Sequence, residues 1–246
     1  MIKALLPGFR LMIALTILTG LIYPAAMTGI CQAMFSKKAN GSLVTQNGKI
    51  VGSSLIGQSF SKPEYFHPRP SSAGAGYDAT NSLGSNLGPT SAKLMHGTTK
   101  TDDKGKEVVD FDGIEDRIVH YCVDNDIAFS SSVPLDQFKD AQGNLDDVKL
   151  IKAFNDPKDP LIFTPRTQIP ADAVTGSASG LDPHISPANA DLQVGRVAKA
   201  RNIPSNQVQP LIAQATDGAD LGFIGEPRVN VLLLNLSLDQ KFPPQK

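Results

Sequence analysis

The sequence predicts an α+β (or α/β) domain with an N-terminal β-hairpin, tethered to a membrane by one N-terminal transmembrane helix. Residues 11–36 carry no charge, which is typical of a membrane span. The whole chain has 246 residues, of which 41% are hydrophobic, so it is long enough to form a sizeable core. After the uncharged run come a hairpin signal and several helical periodicities, and both kinds of element are therefore expected in one domain.

The uncharged run is flanked by basic residues on both sides. Lys3 and Arg10 precede it, and Lys37 and Lys38 follow it. A helix of this length spans about 39 Å, against a hydrocarbon core of about 30 Å, so one tilted span is expected. With the amino terminus counted, the basic residues slightly favour the N-terminal side as cytoplasmic. The sequence therefore predicts a short cytoplasmic N-terminus over residues 1–10 and an extracytoplasmic domain after the transmembrane helix over 11–36.

The alternative for the same segment is a cleaved signal peptide, with an apolar stretch over 11–22 and small residues at 24–26. The segment stays uncharged well beyond Ala26, which favours a retained anchor. A lipoprotein signal does not fit, because Ile30 rather than a small residue precedes Cys31. Small residues should let partner helices approach closely, and the Tyr-Pro pair is a place for a kink. The predicted helix-packing residues are Gly20, Tyr23, Pro24, Ala25 and Gly29.

Charge divides the part of the chain beyond the helix. Residues 98–165 contain 15 acidic and 8 basic residues, a net charge of −7, whereas the rest of the chain carries +6. This asymmetry predicts an acidic insertion over 98–165 in a domain formed by 37–97 and 166–246. The overall charge of −1 argues against nucleic acid as a partner. The acidic stretches lack the EF-hand order, and the cysteines and histidines lack metal-ligand spacing, so no metal site is predicted.

Two local patterns follow the helix. Asn47-Gly48 between apolar residues predicts a hairpin with a two-residue type I′ turn, expected at an edge of the domain sheet. Residues 57–91 then show no periodicity and are rich in Pro, Gly, Ser and Asn. Interleaved aromatic residues argue against disorder. This segment is therefore predicted to be either a long loop packed on the domain or a docking surface.

Two helices are predicted in the acidic insertion, because apolar residues recur there at helical spacing. Asn144 is a good N-cap for the second helix. The expected buried faces are Ile114, Ile118 and Tyr121 or Cys122 in the first helix, and Leu145, Val148, Ile151 and Phe154 in the second.

The stretch VTGSASGLDPHISP, residues 174–187, has the residue types of a serine hydrolase. A nucleophile elbow requires serine at the centre of Gly-x-Ser-x-Gly, but Ala178 takes that place. Ser186 followed by Pro187 is instead typical of a helix start. The stretch is therefore interpreted as a Gly/Ser turn before a capped helix, with anion binding at the helix N-terminus as the less favoured reading.

The last third of the chain predicts three more elements. The helix after Ser186 has an apolar face and basic residues outside it. The expected core residues are Leu192, Val194, Val197 and Ala198, and Arg196, Lys199 and Arg201 are expected outside this face or near the C-terminal end of the helix. A second helix is expected over 207–216, with Pro210 in its first turn. Residues 228–238 fit a helix and a strand equally well.

Three long motifs carry a family resemblance: LIGQSFSKPEYFHPRPSSAGAGYDATNSLGSNLGPTS, SGLDPHISPANADLQVGRVAKARN and GEPRVNVLLLNLSLD. With the anchor and its Tyr-Pro pair, they resemble the C subunit (KdpC) of the bacterial Kdp potassium-transporting P-type ATPase. The resemblance covers residues 1–96 and about 170–240. The acidic insertion departs from the usual family pattern.

The resemblance implies an accessory, non-catalytic subunit in the bacterial inner membrane. Its partners would be a channel-like potassium-translocating subunit and a P-type ATPase catalytic subunit. ATP, Mg²⁺ and K⁺ would be handled by the complex, and no cofactor is expected on this chain, which has neither an Asp-Lys-Thr-Gly-Thr motif nor a phosphate loop. Contacts with the channel-like subunit are predicted for the 57–91 loop and the 176–187 turn, through Gln58, Phe60, Tyr65, Phe66, His67, Arg69, Pro70, Ser85, Asn86, Leu87, Gly88, Asp182 and His184.

Three alternatives stay open at this point. A nucleotide-binding chaperone of the ATPase would use Ser177, Ser179, Gly180 and Gln193, although a domain outside the cell would not meet cytoplasmic ATP. A membrane-anchored or secreted serine hydrolase would use Ser177 or Ser179 with His184. The third alternative is a free-standing solute-binding domain on the outer face.

Overall fold

A computed structural model describes residues 2–244, with side chains from residue 5 onward. The chain divides into two compact units, Met1–Leu55 and Ile56–Lys246. The first unit consists of a long helix and a hairpin, and the second is a mixed domain of helices and short strands.

The first unit begins with one long helical segment. Helix α1 spans Ile2–Ile17, a π-helical turn covers Leu18–Ile22, and α2 spans Tyr23–Ala39. Pro24 explains the wide turn, because proline has no N–H to donate and its ring crowds the carbonyl one turn earlier. The stretch Leu5–Ala39 is long and apolar enough to cross a bilayer, and none of its side chains is buried in this chain. The helix is therefore longer at both ends than the predicted 11–36.

A hairpin follows, with β1 at Leu43–Gln46 and β2 at Lys49–Ser53. Asn47 and Gly48 both have positive φ, at 51° and 76°, as a type I′ turn requires. Within residues 2–244 the two strands form a sheet of their own. The expectation that the hairpin is an edge of the domain sheet is therefore wrong.

The second unit contains helices separated by short strands. The helices are α3 Ala92–His96, α4 Ile114–Asp124, α5 Asp147–Phe154, α6 Ala171–Val174, α7 Pro187–Arg201, α8 Ser205–Gln214 and α9 Val231–Lys241. The strands are β3 Thr98–Thr101, β4 Glu107–Phe111, β5 Phe129–Ser131, β6 Phe163–Pro165, β7 His184–Ile185, β8 Thr216–Asp217 and β9 Arg228–Asn230. β3 pairs with β4 and β5 with β6, while β9 lies between β7 and β8, and all these pairs are antiparallel.

The main core lies between α7, α8 and α9. Its buried side chains come from these helices, from Ile185 of β7 and Val229 of β9, and from one residue of the irregular loop, Phe66. The predicted start of α7 is confirmed, because the Ser186 hydroxyl accepts the Asn189 N–H at 3.1 Å and Pro187 follows it. α8 begins at Ser205, earlier than predicted, so Pro210 lies beyond its first turn.

The C-terminal segment resolves the choice between helix and strand by containing both. β9 supplies the central strand of the three-stranded sheet, and α9 begins directly after it. The side chain of Asn230 caps α9 by accepting the Leu233 N–H at 3.1 Å.

The acidic insertion has a small core of its own. Its buried residues are Val119, Leu150, Phe154 and Leu161. The N-cap of α5 is Asp146, which accepts the Lys149 N–H, and not the predicted Asn144. The buried face of α4 is also displaced from the prediction: it consists of Asp116, Val119 and Cys122, while Ile114 and Ile118 are only half-buried.

Buried polar side chains connect α7 and α9 to the irregular loop. Gln193 accepts the His67 N–H at 2.7 Å and donates to the His67 carbonyl at 3.1 Å. Asn235 accepts the Phe66 N–H at 2.9 Å and donates to the Phe66 carbonyl at 3.0 Å. The two amides therefore act as a neighbouring strand would, satisfying the backbone of two consecutive loop residues. We call residues 63–67 the anchored segment.

Two arginines of α7 complete the attachment, and the sequence predicts both outside the apolar face or near the C-terminal end of the helix. Arg196 donates to the carbonyls of Pro63 and Tyr65, each at 2.8 Å. Arg201 donates to the Glu64 carbonyl at 2.7 Å and packs over the Tyr65 ring. Both side chains are buried. Arg201 does lie in the last turn of α7. The expectation that Arg196 points away from the core is wrong, because a guanidinium with several carbonyl acceptors can be buried.

The Gln193→Ala substitution should destabilise the second unit. It leaves the backbone groups of His67 and one N–H of Arg196 without a partner in a buried place. We expect the free energy of unfolding to fall by about 2–4 kcal/mol, measured by denaturant unfolding of the full-length chain in detergent. The control is Gln214→Ala, which removes an exposed amide of α8 and should cost less than about 0.5 kcal/mol. Equal losses in the two variants would contradict the anchoring role.

Candidate functional site

The two irregular segments predicted to contact a partner pack against each other. The Gly57 N–H donates to the Leu181 carbonyl at 2.8 Å, and the Ser71 hydroxyl donates to the Gly180 carbonyl at 2.6 Å. Gly180 has φ of +68°, and a Cβ on it would lie 2.5 Å from the Leu83 carbonyl oxygen. Only glycine fits such a close approach with this backbone conformation. The loop 57–91 and the turn 176–182 therefore form one continuous surface.

Arg69 and Asp182 form the polar centre of this surface. The Arg69 guanidinium donates to Asp182 Oδ2 at 3.0 Å and to the carbonyls of Thr175 and Gly176 at 3.3 Å. Asp182 Oδ1 accepts the His184 N–H at 3.0 Å. Burial by itself raises the pKa of Asp182, but the hydrogen bonds from His184 and the positive charge of Arg69 outweigh it, so this pKa is lowered.

The other predicted contact residues separate into buried and exposed groups. Phe66 is fully buried in the main core, so it is not part of the surface of this chain, contrary to the expectation. Tyr65 is half-buried and donates from its hydroxyl to Asp239 at 3.1 Å. The remaining residues of the set are half-buried or exposed: Gln58, Phe60, His67, Arg69, Pro70, Ser85, Asn86, Leu87, Gly88, Asp182 and His184.

The serine-rich turn is built for structure. The Ser177 hydroxyl accepts the Gly180 N–H at 2.9 Å, and the Ser179 hydroxyl accepts the Leu181 N–H at 3.1 Å. Among the described residues, neither hydroxyl is hydrogen-bonded to His184, which instead lies next to Asp182. The contact that activates a serine nucleophile is therefore not formed, and the hydrolase reading is not favoured.

The nucleotide-binding hypothesis groups Ser177, Ser179 and Gly180 with Gln193. The amide of Gln193 is buried and is used on His67, Asn189 and Arg196. Gly180 has its N–H bonded to Ser177. This chain therefore already uses the polar groups that the nucleotide-binding hypothesis would assign to a ligand.

In the long N-terminal helix, the predicted packing residues are exposed. Gly20 and Gly29 have no atom of this chain near the position that a Cβ would take. Ala25 and Gly29 lie one helical turn apart on one face. This face is open to another helix.

Sequence reasoning missed an apolar tip formed by residues 220–224. It is a tight turn closed by a bridge between Asp220 and Ile224. Leu221 is 83% exposed and Phe223 is 78% exposed. The signal is present in the sequence as DLGFIGE, directly before the segment 228–238 for which helix and strand fit equally well. Large apolar side chains exposed together on a short turn are typical of interaction surfaces.

A second missed feature is a cleft of about 510 Å³ between α4 and the 59–77 part of the loop. Asp116, His120 and Asp147 line it, and one potential ligand atom from each lies within 4.8 Å of the others. Burial raises the pKa of Asp116 to about 7. The hydrogen bond between His120 Nε2 and Asp147 Oδ1, at 2.8 Å, raises the pKa of His120.

Comparison with known proteins identifies the class of this chain. A family model described as "KdpC: K+-transporting ATPase, c chain" matches residues 5–137 and 141–240. The chain is 42% identical over 238 residues to the potassium-transporting ATPase KdpC subunit of Mycobacterium tuberculosis (strain ATCC 25618 / H37Rv), covering 97% of this chain and 98% of that protein. It is 43% identical over 246 residues to the KdpC subunit of Beijerinckia indica, covering 100% and 98%, and 43% identical over 245 residues to that of Caulobacter vibrioides, covering 99% and 96%.

The chain is thus similar, along nearly its whole length, to subunits of potassium-transporting ATPases. It belongs to the KdpC family. This confirms the resemblance stated from the sequence motifs. The match is wider than those motifs, because it extends through the acidic insertion apart from residues 138–140.

Acid should weaken the contribution of Asp182 to stability. Because its pKa is lower in the folded chain than in the unfolded chain, the ionised form stabilises the fold above about pH 4, and this stability is lost as the pH falls through the folded-state pKa. The stability difference between the native chain and Asp182→Asn should shrink between about pH 5 and about pH 3. Denaturant unfolding across this range measures it.

Arg69→Gln serves as the second variant, because it removes one positive charge that holds the pKa of Asp182 down. It should reduce the same acid-dependent part of the stability. A difference between native chain and Asp182→Asn that is constant with pH would contradict this role of the pair.

Proposed function

We propose that this chain is the accessory, non-catalytic subunit of an ATP-driven potassium uptake complex, where it assembles and stabilises a channel-like subunit and a P-type ATPase subunit. The observation that carries the proposal is the family match over residues 5–137 and 141–240. An assembly role is supported by the long helix with exposed side chains and by the exposed apolar tip. A non-catalytic role is supported by the sequence, which has no phosphorylation motif of a P-type ATPase.

The topology that fits this role has the amino terminus in the cytoplasm and the second unit outside. It rests on the basic residues before the uncharged run. In this arrangement ATP and Mg²⁺ are bound by the catalytic subunit and K⁺ by the channel-like subunit. The Gly/Ser turn of this chain is not expected to bind nucleotide, which is supported by the bonds from the Gly180 and Leu181 N–H groups to the hydroxyls of the turn itself.

A cysteine-labelling experiment tests the topology. In a chain with Cys31→Ser and Cys122→Ala, the exposed Asp103 is replaced by cysteine, and intact cells are treated with a membrane-impermeant maleimide. We expect labelling without permeabilisation. A cysteine added at the amino terminus is the control and should react only after permeabilisation. The reverse pattern would overturn the topology.

Two exposed parts of the second unit are proposed to contact partners: the apolar tip 220–224 and the irregular segment 85–88. The tip presents Leu221, Phe223 and Ile224 to the surroundings. Burying such side chains removes apolar area from water and is worth about 1.5–3 kcal/mol for each large residue. Asn86 lies in the segment 85–88 and has a left-handed backbone conformation, with φ of 53°. Aromatic and β-branched residues adopt this conformation only with strain.

Phe223→Ser should weaken assembly without unfolding this chain, because the side chain is exposed and packs on little within the chain. We expect at least a tenfold lower yield of the two large partner subunits co-purified with the tagged chain, as a loss of about 1.4 kcal/mol or more predicts. Ile162→Ser is the matched control, since Ile162 is 64% exposed on another part of the same unit. Equal yields from the two variants would remove the tip from the contact surface.

A further inference from the structure

We propose that Asp116, His120 and Asp147 bind a divalent transition-metal cation of the Zn²⁺ class, which joins α4 to α5 in the cleft of the acidic insertion. Asp116 and His120 are four residues apart on α4 and so lie on one helical face. Asp147 is the first residue of α5. The three ligands therefore come from two helices that pack against each other.

The chemistry of the ligands selects the class of cation. Imidazole is a ligand of zinc and the neighbouring transition metals, and carboxylate oxygens complete such sites. Alkali cations do not use an imidazole ligand. One ligand atom from each residue lies within 4.8 Å of the others, while ligands on a tetrahedral zinc ion are about 3.4 Å apart. His120 Nε2 and Asp147 Oδ1 are 2.8 Å apart and are hydrogen-bonded, so binding would require their partly exposed side chains to rotate and exchange this bond for bonds to the metal ion.

An independent observation points to a missing ligand. Asp116 is only 2% exposed, and its Oδ1 is buried without a hydrogen-bond partner in the part of the chain that the structure describes. A buried carboxylate oxygen without a partner is costly. The neighbouring cation does not serve it, because Arg117 donates to both oxygens of Asp112 and to the Val174 carbonyl. A metal ion in the cleft would be the partner of this oxygen.

The charge of the cleft agrees with a cation. Asp112, Asp116, Asp124 and Asp147 line it, against Arg69 and Arg117. Both arginines are already engaged, Arg69 with Asp182 and Arg117 with Asp112. The metal site shares no residue with the apolar tip or with the segment 85–88. The proposal therefore does not depend on the partner contacts proposed above.

The test uses the full-length chain in detergent, stripped with a chelator and titrated with Co²⁺, whose visible absorption reports ligation, followed by displacement with Zn²⁺. We expect one ion bound per chain. His120→Gln and Asp147→Asn should each raise the dissociation constant at least tenfold, the size of effect that loss of a supporting group already has at metal sites. Both side chains are partly exposed, so the metal-free variants should keep the native circular dichroism spectrum.

The matched control is His96→Gln. His96 of α3 pairs with Glu115 of α4 at 2.7 Å, a second histidine–carboxylate pair that has no third ligand within reach among the described residues. Its loss should leave binding unchanged. The proposal is overturned if the native chain binds neither ion, if both His120→Gln and Asp147→Asn bind as the native chain does, or if His96→Gln abolishes binding. Should one ligand variant fail to fold, the other decides.

Discussion

The structure of the second unit depends on one arrangement: buried polar side chains of α7 and α9 satisfy the backbone of the anchored segment, residues 63–67. A segment without helix or strand has no ladder for its N–H and C=O groups, and burying it would leave them unpaired. Gln193 and Asn235 supply the missing bonds to Phe66 and His67. With these bonds made, the Phe66 ring can occupy the centre of the main core.

Helix α7 also connects the irregular loop to the acidic insertion. Arg196 binds two carbonyls of the anchored segment and the side chain of Asn125 at the end of α4. Tyr121 of α4 donates to Asn189 of α7 at 2.8 Å. α7 is therefore the common support of the irregular loop and of the insertion. Movement of α7 would therefore displace both the irregular loop and the insertion. The cleft between the loop and the insertion is lined by residues of both.

Sequence patterns predicted the elements whose signals are local. The long apolar helix, the Asn-Gly turn and the Ser186 cap of α7 each depend on a few neighbouring residues, and each is found in the structure. The errors concern long-range contacts. No periodicity could show that Arg196 and Arg201 meet loop carbonyls more than a hundred positions earlier in the chain, or that Asp147 reaches the Asp116–His120 face of α4. Short strands such as β7 and β8 carry no pattern at all.

The sequence indicated which irregular segments could contact a partner. It did not show which of their residues are buried in this chain and which are exposed. Aromatic residues in the 57–91 loop could equally serve the core or a partner, and Phe66 proved to belong to the core. The apolar tip could not be distinguished from a core segment by sequence, because its leucine and phenylalanine are followed closely by the buried helix α9. Only the packing of the second unit distinguishes the two cases.

Hydrogen exchange at the Phe66 and His67 amides tests the central arrangement most directly. If Gln193 and Asn235 hold these N–H groups as described, they should exchange as slowly as the core amides of α7, through unfolding of the whole unit. This would be unusual for a segment with no regular structure. Exchange of these two amides at the rate of the exposed segment 85–88 would contradict the account.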